Sequence, residues 1–127
     1  MVHTTEAEFI ELVEEAVAAI PERFARRLEN VAFMVADEPT PEQLAAHEGL
    51  HGGGLLLGLY EGIPLPARNN GYSGVLPDVI TVFRRAHEVL AEDVAALHRE
   101  VHQTVWHEVA HYFGLDHGQI RDLENGG

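Results

Sequence analysis

Residues 107–117 read HEVAHYFGLDH, the HExxHxxGxxH pattern of zinc hydrolases. Two histidines four residues apart, His107 and His111, lie one above the other on a single face of a helix. A catalytic zinc ion takes about three protein ligands and keeps one position for water. His117 supplies the third ligand, and Glu108 is placed to act as general base toward the water. This stretch predicts a single zinc site near the C-terminus.

The third ligand depends on the turn that follows the helix. Gly114 permits a left-handed conformation at the helix end, which brings the next residues back toward the metal. His117 is favoured as the ligand, and Asp116 is the alternative because the sequence does not determine the geometry of this turn. Nickel or another divalent ion can also occupy such a site, since ligand affinity alone does not select zinc.

The helix that carries the motif is predicted from about Asp93, a suitable N-cap, to Phe113. Its two motif histidines project nearly opposite to its apolar side, which predicts a helix that packs on the core and presents ligands to a cleft. Glu100 lies on the histidine stripe, where it either orients a liganding imidazole or is solvated. The apolar side comprises Val94, Leu97, Val101, Val105, Val109 and Tyr112.

The rest of the chain predicts an α+β fold, with N-terminal helices and a short mixed sheet before the long helix. Thr5 and Glu8 form a capping box for the first amphipathic helix. Gly, Pro and Asn are frequent in residues 62–77, which predicts a loop. Further helices are predicted at residues 21–28, 40–47 and 86–91, and strands at residues 31–35, 55–60 and 79–83.

Composition limits the classes of function. The 127 residues are 46% hydrophobic, which predicts a single domain over residues 1–127. The net charge of −13 disfavours nucleic acid and anionic membranes as partners. Cysteine is absent, so a metal site must use His, Asp, Glu or water. The sequence shows no signal peptide and no apolar stretch of transmembrane length, which predicts a cytoplasmic protein.

Three segments resemble the small bacterial zincin-like metallopeptidase family. They are LLGLYEGIPL at residues 56–65, GVLPDVITVFRR at 74–85 and TVWHEVAHYFG at 104–114. The resemblance covers most of the chain from about Leu55 onward and the N-terminal helices more loosely. It implies a minimal α+β zincin domain whose active-site helix packs on a short sheet.

The resemblance also implies roles for individual residues. His107 and His111 match the zinc ligands of that family, and Glu108 matches its general base. The family commonly has an acidic third ligand, whereas His117 stands at that place here, directly after Asp116. The histidine resembles the metzincin pattern, but metzincins have a methionine turn downstream, and no methionine follows the motif in this chain.

The leading hypothesis is therefore a zinc-dependent peptidase acting on a peptide or protein, which pairs with an exposed strand edge beside the cleft. One alternative is a metal-binding protein without turnover, in which a protein group closes the fourth ligand position. Another is a zinc hydrolase that acts on a different amide or ester. The sequence leaves the oligomeric state open.

Other polar residues have weaker claims to a functional role. Tyr72 could stabilise an oxyanion, but packing in its loop is the favoured interpretation. His98 and His102 have i, i+4 spacing, yet they fall on or near the apolar side of the helix, so packing or solvation is favoured over a second metal site. Arg84 and Arg85 are interpreted as a solvated pair, with binding of a substrate carboxylate as the alternative.

Overall fold

The computed structural model describes residues 1–51, 55–62 and 77–115, and these form an α+β fold. The positions of His117, Asp116 and Tyr72 lie outside the described residues. The helices are α1 (Glu6–Ala18), α2 (Glu22–Ala25), α3 (Pro41–His51), α4 (Arg84–Leu90) and α5 (Val94–Tyr112). The strands are β1 (Val31–Ala36), β2 (Gly58–Glu61) and β3 (Asp78–Phe83).

The three strands form a mixed sheet in the order β1-β3-β2, which confirms the predicted fold class. β1 runs parallel to β3, and β2 runs antiparallel to it. β3 lies in the centre and is the most buried strand, as its nearly continuous apolar sequence predicts. β2 pairs with β3 on one side only, so in the part of the sheet that the structure describes β2 is an edge strand.

The core lies between the sheet and helices α1 and α5. Both helices turn an apolar stripe inward, with Phe9 from α1 and Val101 from α5 fully buried. Val94 departs from the predicted pattern, since it stands at the first position of α5 and remains exposed. Other core residues are Val13, Ala16, Ile80, Val82, Leu97, Val105 and Val109.

Two helices begin with the caps that the sequence predicts. The Thr5 hydroxyl accepts a bond from the Glu8 backbone N–H, and the Glu8 carboxylate accepts one from the Thr5 N–H. At α5 the Asp93 carboxylate accepts a bond of 2.8 Å from the Ala96 N–H. Gly114 follows α5 with a φ of 74°, the left-handed conformation expected of a helix-ending glycine.

Several elements differ in their bounds from the sequence prediction. α3 continues to His51 instead of ending near residue 47, and α4 begins at Arg84 instead of residue 86. α2 is a single turn instead of a helix to residue 28, and Asn30, with a φ of 55°, turns the chain into β1. β2 begins at Gly58 instead of residue 55, although the carbonyl of Leu57 already accepts a bond from the Phe83 N–H. Residues 55–57 instead line a cavity beside α5.

Candidate metal centre

Helix α5 brings the two histidines and the glutamate of the motif together. The ligand atoms of His107, Glu108 and His111 all lie within 4.8 Å of one another. The two imidazole rings have centroids 4.6 Å apart, as expected for residues one turn apart on a single face. The predicted convergence of the motif side chains is therefore present in the structure.

Glu108 fixes the electrostatics of this group. It is almost fully buried, and its Oε1 lies 3.3 Å from Nδ1 of His111. The contact with Glu108 raises the pKa of His111, against the opposing effect of burial. Because a metal ion binds the neutral imidazole, protons compete with metal at His111 up to a higher pH than at an ordinary histidine.

The donor set fits a borderline divalent cation. Two imidazoles and an adjacent carboxylate are nitrogen and oxygen donors that zinc accepts, and the chain offers no thiolate. A search of the described residues for three or more His, Cys, Asp or Glu side chains close enough to hold a metal ion finds the group of His107, Glu108 and His111. The choice between His117 and Asp116 as third ligand stays a prediction.

A cavity of about 530 Å³ opens beside the motif, which is large enough for a substrate side chain and backbone. α5 contributes one wall, with His107 and Glu108 at one end and Glu100 further along the helix. The lining outside α5 is mostly apolar and comes mainly from the segment that leads into β2. The cavity is lined in addition by His47, Leu55, Leu56, Leu57, Gly58, Leu90, Gln103 and Thr104.

Gly58 allows β2 to approach the motif helix closely, and this feature was not predicted from the sequence. A Cβ atom at this position would lie 2.6 Å from Cγ2 of Thr104 and 3.3 Å from Cγ of Glu108. A side chain would therefore push the strand away from the glutamate. The available signal was a glycine inside a strand, which often marks such an approach.

A buried histidine, also not singled out in the sequence, supports the helix from the core side. Nδ1 of His87 lies 2.8 Å from the carbonyl oxygen of Phe83, and Nε2 lies 2.8 Å from Oγ1 of Thr104. A carbonyl can only accept, so Nδ1 carries the proton and the Thr104 hydroxyl donates to Nε2. Burial lowers the pKa of His87, which keeps the imidazole neutral.

Several other sequence candidates lie away from the cavity. Nδ1 of His98 is 3.8 Å from a Glu15 carboxylate oxygen, in a half-exposed pair. Arg84, expected to be solvated, is instead partly buried and contacts residues from three parts of the chain. Its partners are the Asp37 carboxylate at 2.9 Å, the Glu88 carboxylate at 3.5 Å and the Thr4 carbonyl at 2.6 Å.

Comparison with known families finds a match to the zincin-like metallopeptidase family over residues 28–127. This range includes all three strands, the lining of the cavity and the motif helix. A search of curated proteins finds no match. None of the helices in the described ranges combines the length and apolar character needed to cross a membrane.

Proposed function

Because the chain belongs to the zincin-like metallopeptidase family, we propose that it hydrolyses peptide bonds as a zinc-dependent peptidase. The observation that carries this proposal is the convergence of His107, Glu108 and His111, since the first two of these residues also line a cavity. A helix with these three residues in contact only with the core would have no room for substrate.

His107 and His111 would hold the zinc ion, with His117 as the proposed third ligand and Asp116 as its alternative. When bound there, zinc supplies an acidified water and an electrophile for the scissile carbonyl. No thiolate competes for the ion, which fits a site that remains open to water. The metal could be another divalent ion, since imidazole ligands also suit nickel and cobalt.

Glu108 is the proposed general base. It would take the proton of the attacking water and pass it to the amine that leaves when the C–N bond breaks. Its burial supports this role, because a carboxylate in a site of low dielectric is held in place and responds strongly to charge beside it. The close approach of Gly58 to Cγ of Glu108 restricts the side chain further.

The proposed binding mode for substrate is addition of an extended peptide to the edge of β2. In the described part of the sheet β2 pairs with β3 on one side, which leaves its other edge for main-chain bonds. The residues just before β2 line the cavity together with His107 and Glu108. A peptide paired with this edge would therefore run past the proposed zinc site.

Two measurements on the purified protein test the proposal. We expect about one zinc per chain by elemental analysis, and cleavage of a peptide library that stops on chelation and returns when zinc is restored. His107→Ala should lose both zinc and cleavage, whereas His98→Ala, a matched substitution on the same helix outside the cavity, should keep both.

The alternatives predict different outcomes. Zinc bound at full occupancy without cleavage of any peptide would indicate metal binding without turnover. Cleavage of model esters or small amides but of no peptide would indicate a different hydrolase.

A further inference from the structure

Glu100 places a second carboxylate in the cavity, away from the motif. It lies on α5 and lines the same cavity as His107 and Glu108. The side chain is partly buried, and its Oε2 is fully buried without a hydrogen-bond partner in the described part of the chain. This oxygen therefore makes no hydrogen bond to the imidazole of His107 or His111, the two proposed ligands that the structure describes.

A buried carboxylate oxygen without a partner is costly, because its lost hydration is not replaced. The described residues that line the cavity offer it no permanent positive charge. Lysine is absent from the sequence, and none of the described residues that line the cavity is an arginine. Oε2 itself is enclosed, so a ligand in the cavity would meet this carboxylate through the other oxygen or after rotation of the carboxyl group. A cation that the bound ligand brings into the cavity would stabilise the carboxylate there.

The position of Glu100 relative to the proposed zinc site restricts what that cation can be. Glu100 precedes His107 by seven residues, which is two helical turns or about 10.5 Å along the axis. An extended peptide advances about 3.3 Å per residue, so this distance corresponds to about three residues. The free amino group of a residue at the scissile bond cannot span it, whereas a long basic side chain close to that bond can.

The rest of the cavity fits the aliphatic part of such a side chain. Leu55 and Leu90 line the cavity and are 52% and 46% exposed, so they offer apolar surface to a ligand. Arginine and lysine pack their methylene groups against apolar surface and extend the charge beyond it. The cavity thus combines an apolar lining with a buried carboxylate.

We propose that Glu100 determines specificity by binding the cationic group of an arginine or lysine side chain near the scissile bond of the substrate. This inference rests on the proposed peptidase function and adds the class of substrate to it. The net charge of −13 acts in the same direction over a longer range, since it attracts basic peptides to the protein.

A pair of matched peptides tests the proposal without any change to the protein. One peptide carries arginine and the other citrulline, which keeps the shape of the side chain and removes its charge. We expect kcat/KM for the citrulline peptide to be roughly 10- to 100-fold lower, the usual effect of losing a charge-assisted hydrogen bond. Acetylation of the peptide N-terminus should leave the preference unchanged, because the side chain and not the terminal amine contacts Glu100.

Two substitutions distinguish a contact with Glu100 from the attraction of the protein's overall negative charge as the cause of the preference. Glu100→Gln should reduce the preference for arginine over citrulline to within about threefold. Glu11→Gln, which removes the same charge from an exposed position on α1, should retain it. If both variants retain the preference, or if 0.5 M salt abolishes it in the parent, long-range charge is responsible and the assignment of Glu100 is wrong.

Binding to zinc-loaded Glu108→Gln distinguishes failure of this inference from failure of the peptidase proposal. We expect this variant to bind the arginine peptide roughly 10-fold or more tightly than the citrulline peptide, and the additional Glu100→Gln substitution to remove the difference. Cleavage by the parent without a basic preference would overturn the inference alone. Absence of cleavage together with selective binding would overturn the peptidase function alone, and equal or absent binding of the two peptides would overturn the role of Glu100.

Discussion

Replacement of Gly58 by alanine inserts a methyl group between β2 and the motif helix. The new Cβ would lie 2.6 Å from Cγ2 of Thr104 and 3.3 Å from Cγ of Glu108. Carbon atoms in ordinary contact are separated by about 3.5 to 4 Å, so strand and helix must part by about 1 Å. Overpacking of this kind costs about 1–3 kcal/mol, which lowers the Tm of a chain of this size by roughly 4 to 12 °C. Because Glu108 moves with the helix, peptide cleavage should fall roughly 10- to 100-fold.

A double-mutant cycle identifies the contact responsible. Thr104→Ser removes Cγ2 and keeps the hydroxyl that bonds to His87. When this change is combined with Gly58→Ala, the loss of unfolding free energy should be smaller than the sum of the two single losses by about 1 kcal/mol or more. Urea unfolding followed by circular dichroism provides the free energies. A Gly58→Ala protein within 0.5 kcal/mol of the parent, or strictly additive losses, would show that this close approach does not constrain the site.

Two further predictions concern protonation. Because burial lowers the pKa of His87 below its usual 6.5, the unfolded state binds the proton more readily. The contribution of His87 to stability is therefore present above about pH 6.5 and is lost as the pH falls below it, so Tm should decrease less with acid in His87→Gln than in the parent. In the metal-free protein the pKa of His111 should lie above its usual 6.5, and Glu108→Gln should lower it. NMR titration of the imidazole signals measures both values. Equal pKa values in the two proteins would contradict the contact between the side chains.

The features that the sequence predicts correctly are those set by neighbouring residues. The spacing of His107 and His111 places them on one helix face whatever the rest of the fold does. The caps at Thr5 and Asp93 are likewise local, since each side chain bonds to the backbone three residues later. The part of the proposed metal site that lies on one helix is therefore predictable from the five residues of the HExxH pattern.

Features that depend on distant parts of the chain were not predictable in the same way. The order β1-β3-β2 makes β2 an edge in the described sheet, and nothing local to β2 specifies that place. Arg84 was expected to be solvated, but its ion pairs come from Asp37 and from Glu88, and only the second lies within one helical turn. The burial of the Glu100 oxygen was equally unpredictable, because three segments distant from Glu100 in the sequence line the same cavity.

The most direct test of the proposed mechanism is the rate of peptide cleavage by Glu108→Gln at full zinc occupancy. Glutamine keeps the size of the side chain and cannot accept the proton of the attacking water. General-base catalysis contributes roughly 10²- to 10⁴-fold, so kcat should fall by at least about 100-fold while the zinc content stays at that of the parent. A zinc-loaded variant that cleaves peptides within a few-fold of the parent rate would contradict the role of Glu108 as the base.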